Sequence, residues 1–281
     1  MMPGRPLLRP RKARLVTIAF LCNVLVAVAT GGLLGCSSSR SEGRNANAAD
    51  ATAFATPTKL SARLVDPINI DLQWKDNATA EAGYFVEYSP EANNEFIIIE
   101  ALPPGTTHYR HPHLLPQTRF VYRVRPYFGP ASNAAVVQTG KEGPQQAPGP
   151  ELLKEAPPAE TESKKSIRSI RTAAEAAPTD LTATLIPPAG VKLLWKDHAS
   201  DEDGYLLEIK PEWGSEFRVS AFLASNTTSL VTYNFPFESK FTLRVRAFFY
   251  GEPSNLAEQT TGVDPSLGSG PWIKTEPPQN P

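Results

Sequence analysis

Apolar and polar residues alternate with a period of two in short runs over two stretches of the chain. In the first, Leu60, Ala62 and Leu64 alternate with their neighbours, as do Ile68, Ile70, Leu72 and Trp74, then Tyr84, Val86 and Tyr88, then Phe96 and Ile98, then Phe120, Tyr122 and Val124. A period of two puts successive apolar side chains on one face of a strand, so each run predicts a strand with one buried face. Between the runs stand Asp66-Pro67, Asp76-Asn77, Ser89-Pro90, Pro103-Pro104-Gly105 and Gly129-Pro130. These are turn residues, and short strands punctuated this densely predict a β-sandwich.

The second stretch repeats the first. Leu181, Ala183 and Leu185 are followed by Val191, Leu193 and Trp195, by Tyr205, Leu207 and Ile209, by Phe217 and Val219, and by Phe241, Leu243 and Val245. Trp74-Lys75-Asp76 and Gly83-Tyr84 recur 121 positions later as Trp195-Lys196-Asp197 and Gly204-Tyr205. Residues 57–125 align without gaps with 178–246, and 26 of the 69 positions are identical. The identities favour inward positions and turns, as two copies of one core would. The expected fold class is therefore all-β, two tandem sandwiches at 57–140 and 178–262.

Both units resemble fibronectin type III domains of the kind common in secreted bacterial proteins. Trp74 and Trp195 match that family's core tryptophan. Asp76-Asn77-Ala78-Thr79 with Glu81 and Gly83-Tyr84, and Asp197 with Glu202 and Gly204-Tyr205, match its loop between strands B and C. Phe120 to Arg125 and Phe241 to Arg246 match its strand F. The family usually has a tyrosine where Phe120 and Phe241 stand, so the resemblance implies a packed ring there without the tyrosine's hydrogen bond, worth about 1 kcal/mol. Neither unit carries an Arg-Gly-Asp tripeptide, so the adhesion role of some animal members is not implied.

The amino terminus changes the picture from a soluble array to an anchored one. Arg5, Arg9, Arg11, Lys12 and Arg14 precede a largely apolar run from Leu15 to Leu34, which ends in Leu33-Leu34-Gly35-Cys36. This is similar to a bacterial lipoprotein signal peptide at 1–35 with its lipobox, and the resemblance implies cleavage before Cys36 and lipidation of Cys36. Palmitate-type acyl chains would then hold the chain to a membrane. An uncleaved anchor or an ordinary secretory signal are the other readings of such a run. The next residue is Ser37 rather than the Asp that keeps enteric lipoproteins in the inner membrane, which implies the outer membrane of a bacterial cell envelope. Cys22 would leave with the signal, so the mature chain would hold no internal disulfide. Residues 36–56 read as a flexible tether, 141–177 as a proline-rich linker letting the units move independently, and 263–281 as a disordered tail that includes Trp272.

The full chain has a formal net charge of −1, and removing the five cations before Cys36 leaves −6 on the remainder. That gives no electrostatic basis for a nucleic-acid partner. His108, His111 and His113 cluster, and His111 and His113 are spaced to share one face of a strand, which makes them weak metal candidates. Asp197, Asp201, Glu202 and Asp203 crowd one loop and invite a calcium reading, although the EF-hand pattern fails there. Lys164, Lys165, Arg168 and Arg171 alternate with Ile167 and Ile170 in the linker, a basic amphipathic patch whose plain reading is a solvated segment. Arg123 and Arg125 are expected to point outward beside Glu87, and Arg244 and Arg246 beside Glu208, as cross-strand charge pairs.

Aromatic residues supply the candidate contact surface. Trp213 lies in a turn, while Tyr127, Phe248 and Tyr250 lie where strand F ends, and Tyr127 and Phe248 should extend the outward arginine row. Exposed rings can fill a partner's pocket or stack on sugars. No nucleophile elbow, phosphate loop, metalloprotease motif or dinucleotide fingerprint is present, and no cofactor is expected. The expected function is that of a non-enzymatic, lipid-anchored binding or spacer protein for an envelope protein. The alternative is a carbohydrate-binding accessory for cell-wall or extracellular polysaccharide.

Overall fold

A computed structural model describes residues 52–90, 95–144, 164–169, 174–233 and 235–263. The signal segment, Cys36, most of the tether and linker, Arg171, Ile170 and the tail with Trp272 lie outside the described residues. The chain is all-β. Its strands are β1 (Thr58–Asp66), β2 (Asn69–Lys75), β3 (Gly83–Ser89), β4 (Ile97–Leu102), β5 (His108–His111), β6 (Arg119–Phe128) and β7 (Ala135–Gln138). The second repeat supplies β8 (Thr179–Ile186), β9 (Gly190–Lys196), β10 (Gly204–Pro211), β11 (Arg218–Leu223), β12 (Ser229–Thr232), β13 (Lys240–Tyr250) and β14 (Ala257–Thr260).

Each repeat builds a fibronectin-type-III-like sandwich from the alternation read in the sequence. In the first, the sheet β1-β2-β5 packs on the sheet β4-β3-β6, and Leu60, Ile70, Leu72, Trp74, Tyr84, Tyr122 and Val124 fill the space between them. In the second, β8-β9-β12 packs on β11-β10-β13 around Leu181, Val191, Leu193, Trp195, Tyr205, Leu207, Leu243 and Val245. Phe120 and Phe241 are buried as expected: Phe120 packs against Tyr88 and Tyr122, and Phe241 against Phe235. A different hydroxyl fixes each loop after the core tryptophan. Tyr84 donates to Asp76, and Tyr205 donates to Asp197.

The last strand of each repeat completes the other repeat's sandwich. β7 pairs antiparallel with β13, matching Ala135 to Leu243 and Gln138 to Lys240. β14 pairs antiparallel with β6, matching Ala257 to Tyr122 and Thr260 to Arg119. Between these ladders β6 and β13 meet directly at Phe128–Phe249 and Tyr127–Tyr250. Residues 119–138 and 240–260 therefore run antiparallel beside each other as one long ribbon, with Phe128 and Phe249 near its middle. Gly129-Pro130, which the sequence reading treats as a turn, is an extended crossing.

Local chemistry explains why the chain does not fold back there. Pro130 and Pro253 hold φ near −65° and lack the N–H that a returning ladder would use. Gly129, at φ +123°, passes so close to the next strand that an added Cβ would lie 2.1 Å from the Ala247 carbonyl oxygen. Burial favours the exchange as well. Val137 enters the second repeat's core and Ala257 enters the first's.

The exchanged strands are held by the same contacts on both sides. Ser132 and Val245 exchange two hydrogen bonds, as do Ser254 and Val124. Thr139 donates its hydroxyl to the carbonyls of Pro236 and Ser239, and Thr261 to those of Leu115 and Thr118. The two repeats are thus not independent bodies, contrary to the linker-based expectation, because each sandwich is incomplete without a strand from the other.

Candidate functional site

Strand faces dictate where the arginines and aromatics go. With Tyr84 and Val86 facing the first core, Phe85 and Glu87 face the other way, and Leu206 and Glu208 do the same in the second repeat. Crossing of the ribbon turns these two outward faces toward each other. Phe85, Tyr127, Leu206 and Phe248 form a separate buried cluster between the sandwiches. Phe85 stacks on Tyr127 at 4.3 Å and meets Phe248 edge-on at 5.8 Å. Burial raises the Tyr127 and Tyr250 hydroxyl pKa values above the usual phenol range.

This corrects three of the four candidate contact residues. Tyr127 is 2% exposed and Phe248 3%, and Tyr250 packs edge-on against both Phe85 and Phe248 while its backbone N–H donates to Asp203. The alternation rightly places Tyr127 and Phe248 outward from their own sandwiches. Outward from one sandwich is inward in the exchanged pair. The overlooked signal is the runs Tyr84-Phe85-Val86 and Tyr205-Leu206-Leu207, since three consecutive apolar residues mark a strand covered on both faces.

The charge pairs sit beside that cluster and are more buried than surface pairs. Glu87 accepts from Arg123 and lies 3.4 Å from Arg125. Glu208 accepts from Arg244 and, at 2.8 Å, from Arg246, whose guanidinium also donates to the Gly129 carbonyl at 2.6 Å. Arg123 stacks over Phe96 and Arg244 over Phe217, each at 3.9 Å. Two guanidiniums per buried carboxylate leave a local surplus of one positive charge on each side.

The acidic loop and the basic linker patch occupy one another. Lys164 reaches Asp197 at 2.6 Å, and Asp197 also accepts from the Ala199 N–H. Asp201 accepts from the Ser166 hydroxyl and the Ile167 N–H, and Asp203 pairs with Arg168 at 3.0 Å. Ile167 is fully buried in the second core. Glu202 accepts from the Asn226 N–H. The patch is thus a docked strap rather than a solvated segment, and it supplies positive charge where the calcium reading would put an ion. The first repeat seats Ala53 at the equivalent loop: its carbonyl accepts from Thr79 and Ala80.

The histidines do not converge. β5 ends at His111, and His113 takes a left-handed φ of +57°, so the two do not share a strand face. His111 contacts the Tyr122 hydroxyl at 3.0 Å and lies among the rings of Tyr88, Tyr109 and Phe120. Burial lowers its pKa to about 4. His108 is exposed, and no group of three metal-binding side chains occurs among the described residues.

Of the four candidate rings, Trp213 alone is exposed. It stands 89% exposed in the turn after β10, which is held by the Gly214 N–H donating to the Pro211 carbonyl and the Glu212 N–H donating to the Lys240 carbonyl.

No family model matches the chain, and no curated protein matches it. Among solved structures it is similar to a fibronectin domain of human collagen XX, at 16% identity over 26% of this chain and 75% of that one, with a TM-score of 0.24. It is also similar to a fibronectin-like protein from Clostridium thermocellum, at 25% identity over 26% of this chain and 76% of that one, TM-score 0.24. A computationally redesigned β-sandwich protein matches at 14% identity over 27% of this chain and 76% of that one, TM-score 0.24.

Proposed function

We propose that this is a non-enzymatic envelope protein, lipid-anchored through Cys36, most consistent with the outer membrane, that offers a protein partner a contact built on a stiff two-sandwich body. The observation that carries the reading is Trp213: a nearly fully exposed indole on a hydrogen-bonded turn of a body whose repeats are interlocked. Burying such a ring against a partner contributes strongly to affinity, and a rigid turn lowers the ordering cost of doing so. Polysaccharide stacking has less support, since three of the four rings it would use are packed between the sandwiches.

A photoreactive amino acid in place of Trp213 tests the reading in cells. It should capture a discrete envelope protein that the same group at Leu115, 72% exposed elsewhere, does not capture. Equal labelling from both positions, or labelling of glycan alone, would count against a protein partner. Cys36→Ala should abolish palmitate labelling and release the protein from membranes.

A further inference from the structure

A sandwich that takes its last strand from elsewhere joins whichever molecule supplies that strand. Residues 132–140 close the second repeat and 254–262 close the first, and each set is received by equivalent positions of its host. Ser132 meets Val245 as Ser254 meets Val124, and the two hosts stand 121 positions apart. Thr139 binds the carbonyls of Pro236 and Ser239, and Thr261 those of Leu115 and Thr118, at the same offset of 121. A side-chain pair tells the two edges apart. Arg119 on β6 pairs with Glu258 of β14, where β7 has Val136. The β6 edge is thereby matched to a strand from a second repeat rather than from another first repeat.

These contacts ask for a second repeat, and any copy of the chain carries one. The covalent connection leaves that choice open. It departs from β7 at Gly140, whose N–H donates to the Pro188 carbonyl, and is seated again at Lys165, whose N–H donates to the His198 carbonyl. Both seats are on the second repeat. Residues 145–163 lie between them, outside the described positions. From Pro144 to Lys164 the chain can reach about 70 Å when fully extended. That is more than twice the width of a small domain, about 30 Å. A neighbouring copy is within the connection's reach.

We infer that two copies of this chain pair by reciprocal strand exchange, the first repeat of each completing the second repeat of the other. The pair and the single chain make the same ladders, so exchange between copies needs no new contact and gives up only the effective concentration that the linker supplies. The paired share therefore rises with protein concentration. A closed pair carries two Trp213 turns on one particle. The inference goes beyond the partner reading above and depends on neither the anchor nor a ligand at Trp213.

The test co-expresses two full chains with different tags, one Arg119→Cys and the other Thr260→Cys, and follows mild oxidation in detergent by non-reducing electrophoresis. Both residues are exposed and stand opposite each other across the β6–β14 ladder, so a disulfide between chains reports β14 of one copy on β6 of the other. A covalent dimer carrying both tags should form, at a yield that rises with expression level and is at least tenfold that of either variant expressed alone. Arg119→Cys co-expressed with Gln138→Cys should stay at the level of the single variants, because Gln138 lies opposite Lys240. A two-tag yield no greater than that of the single variants, or equal yields from the two pairs, would overturn the inference.

Discussion

The side-chain amide of Asn255 closes a pair of hydrogen bonds on the backbone of Leu60, 195 residues earlier: it accepts from the Leu60 N–H at 3.0 Å and donates to the Leu60 carbonyl at 2.9 Å. Asn133 does the same to Leu181, at 3.0 and 3.1 Å. Each asparagine thereby pins an exchanged strand to the first strand of the repeat it has entered. Because two backbone groups lose their partner at once, Asn255→Ala and Asn133→Ala should each cost about 2 kcal/mol. Urea unfolding of each variant checks this. A loss confined to Asn255→Ala would show that the two exchanges are not equivalent.

The crossing itself makes a sharper steric prediction. Gly129→Ala puts a methyl against the Ala247 carbonyl and forces alanine to a positive φ, whereas Gly105, at φ +71°, has open space around its Cβ. Gly105→Ala should cost about 1 kcal/mol from backbone strain alone, and Gly129→Ala about 3 kcal/mol or more. Thermal melts of the two variants compare them directly. Similar losses would mean that residues 129 and 247 do not pass this closely.

Much of this was readable from the chain. Alternation places both cores and the pairing of Glu87 and Glu208 with their arginines. The exchange was not readable, because a strand's alternation says which face is buried and not whose edge it joins. Residues 132–140 and 254–262, which carry β7 and β14, share Ser-Asn, Ala and Thr-Gly at matching positions, so either strand satisfies either edge. The strap could have been inferred from the opposite charges of 164–168 and 197–203, but its buried Ile167 is the only apolar mark it carries among the described residues.

Docking of the strap predicts protection from protease. Lys164, Lys165 and Arg168 are all trypsin sites, and cleavage there should be slow while Asp201 holds the Ser166 hydroxyl and the Ile167 N–H. Asp201→Ala should raise the cleavage rate at Arg168 several-fold, followed by mass spectrometry of the peptides. Cleavage at the wild-type rate would mean that the strap is undocked in solution.

His111 gives the stability a pH dependence. Its neutral form is favoured by burial, so its folded pKa of about 4 lies below the unfolded value near 6.5. Between these values the unfolded chain binds more protons, so stability rises with pH, and its contribution is lost as pH falls from 6.5 toward 4. The amount is about 2 kcal/mol after allowing for partial exposure. His111→Gln should flatten this part of the urea-midpoint profile. An unchanged slope would assign the dependence to other groups.

The exchange of the last strands supports everything said about the interlocked body, and a pair of cysteines tests it directly. In the structure Arg119 lies opposite Thr260, whereas a strand returning within the first repeat would put Gln138 there. Cα atoms paired across an antiparallel ladder fall within disulfide range. Under mild oxidation the monomeric Arg119→Cys/Thr260→Cys chain should form an internal disulfide, seen by peptide mapping, and the Arg119→Cys/Gln138→Cys chain should not. A disulfide in the second variant and none in the first would show that each repeat keeps its own strand, and would contradict the account.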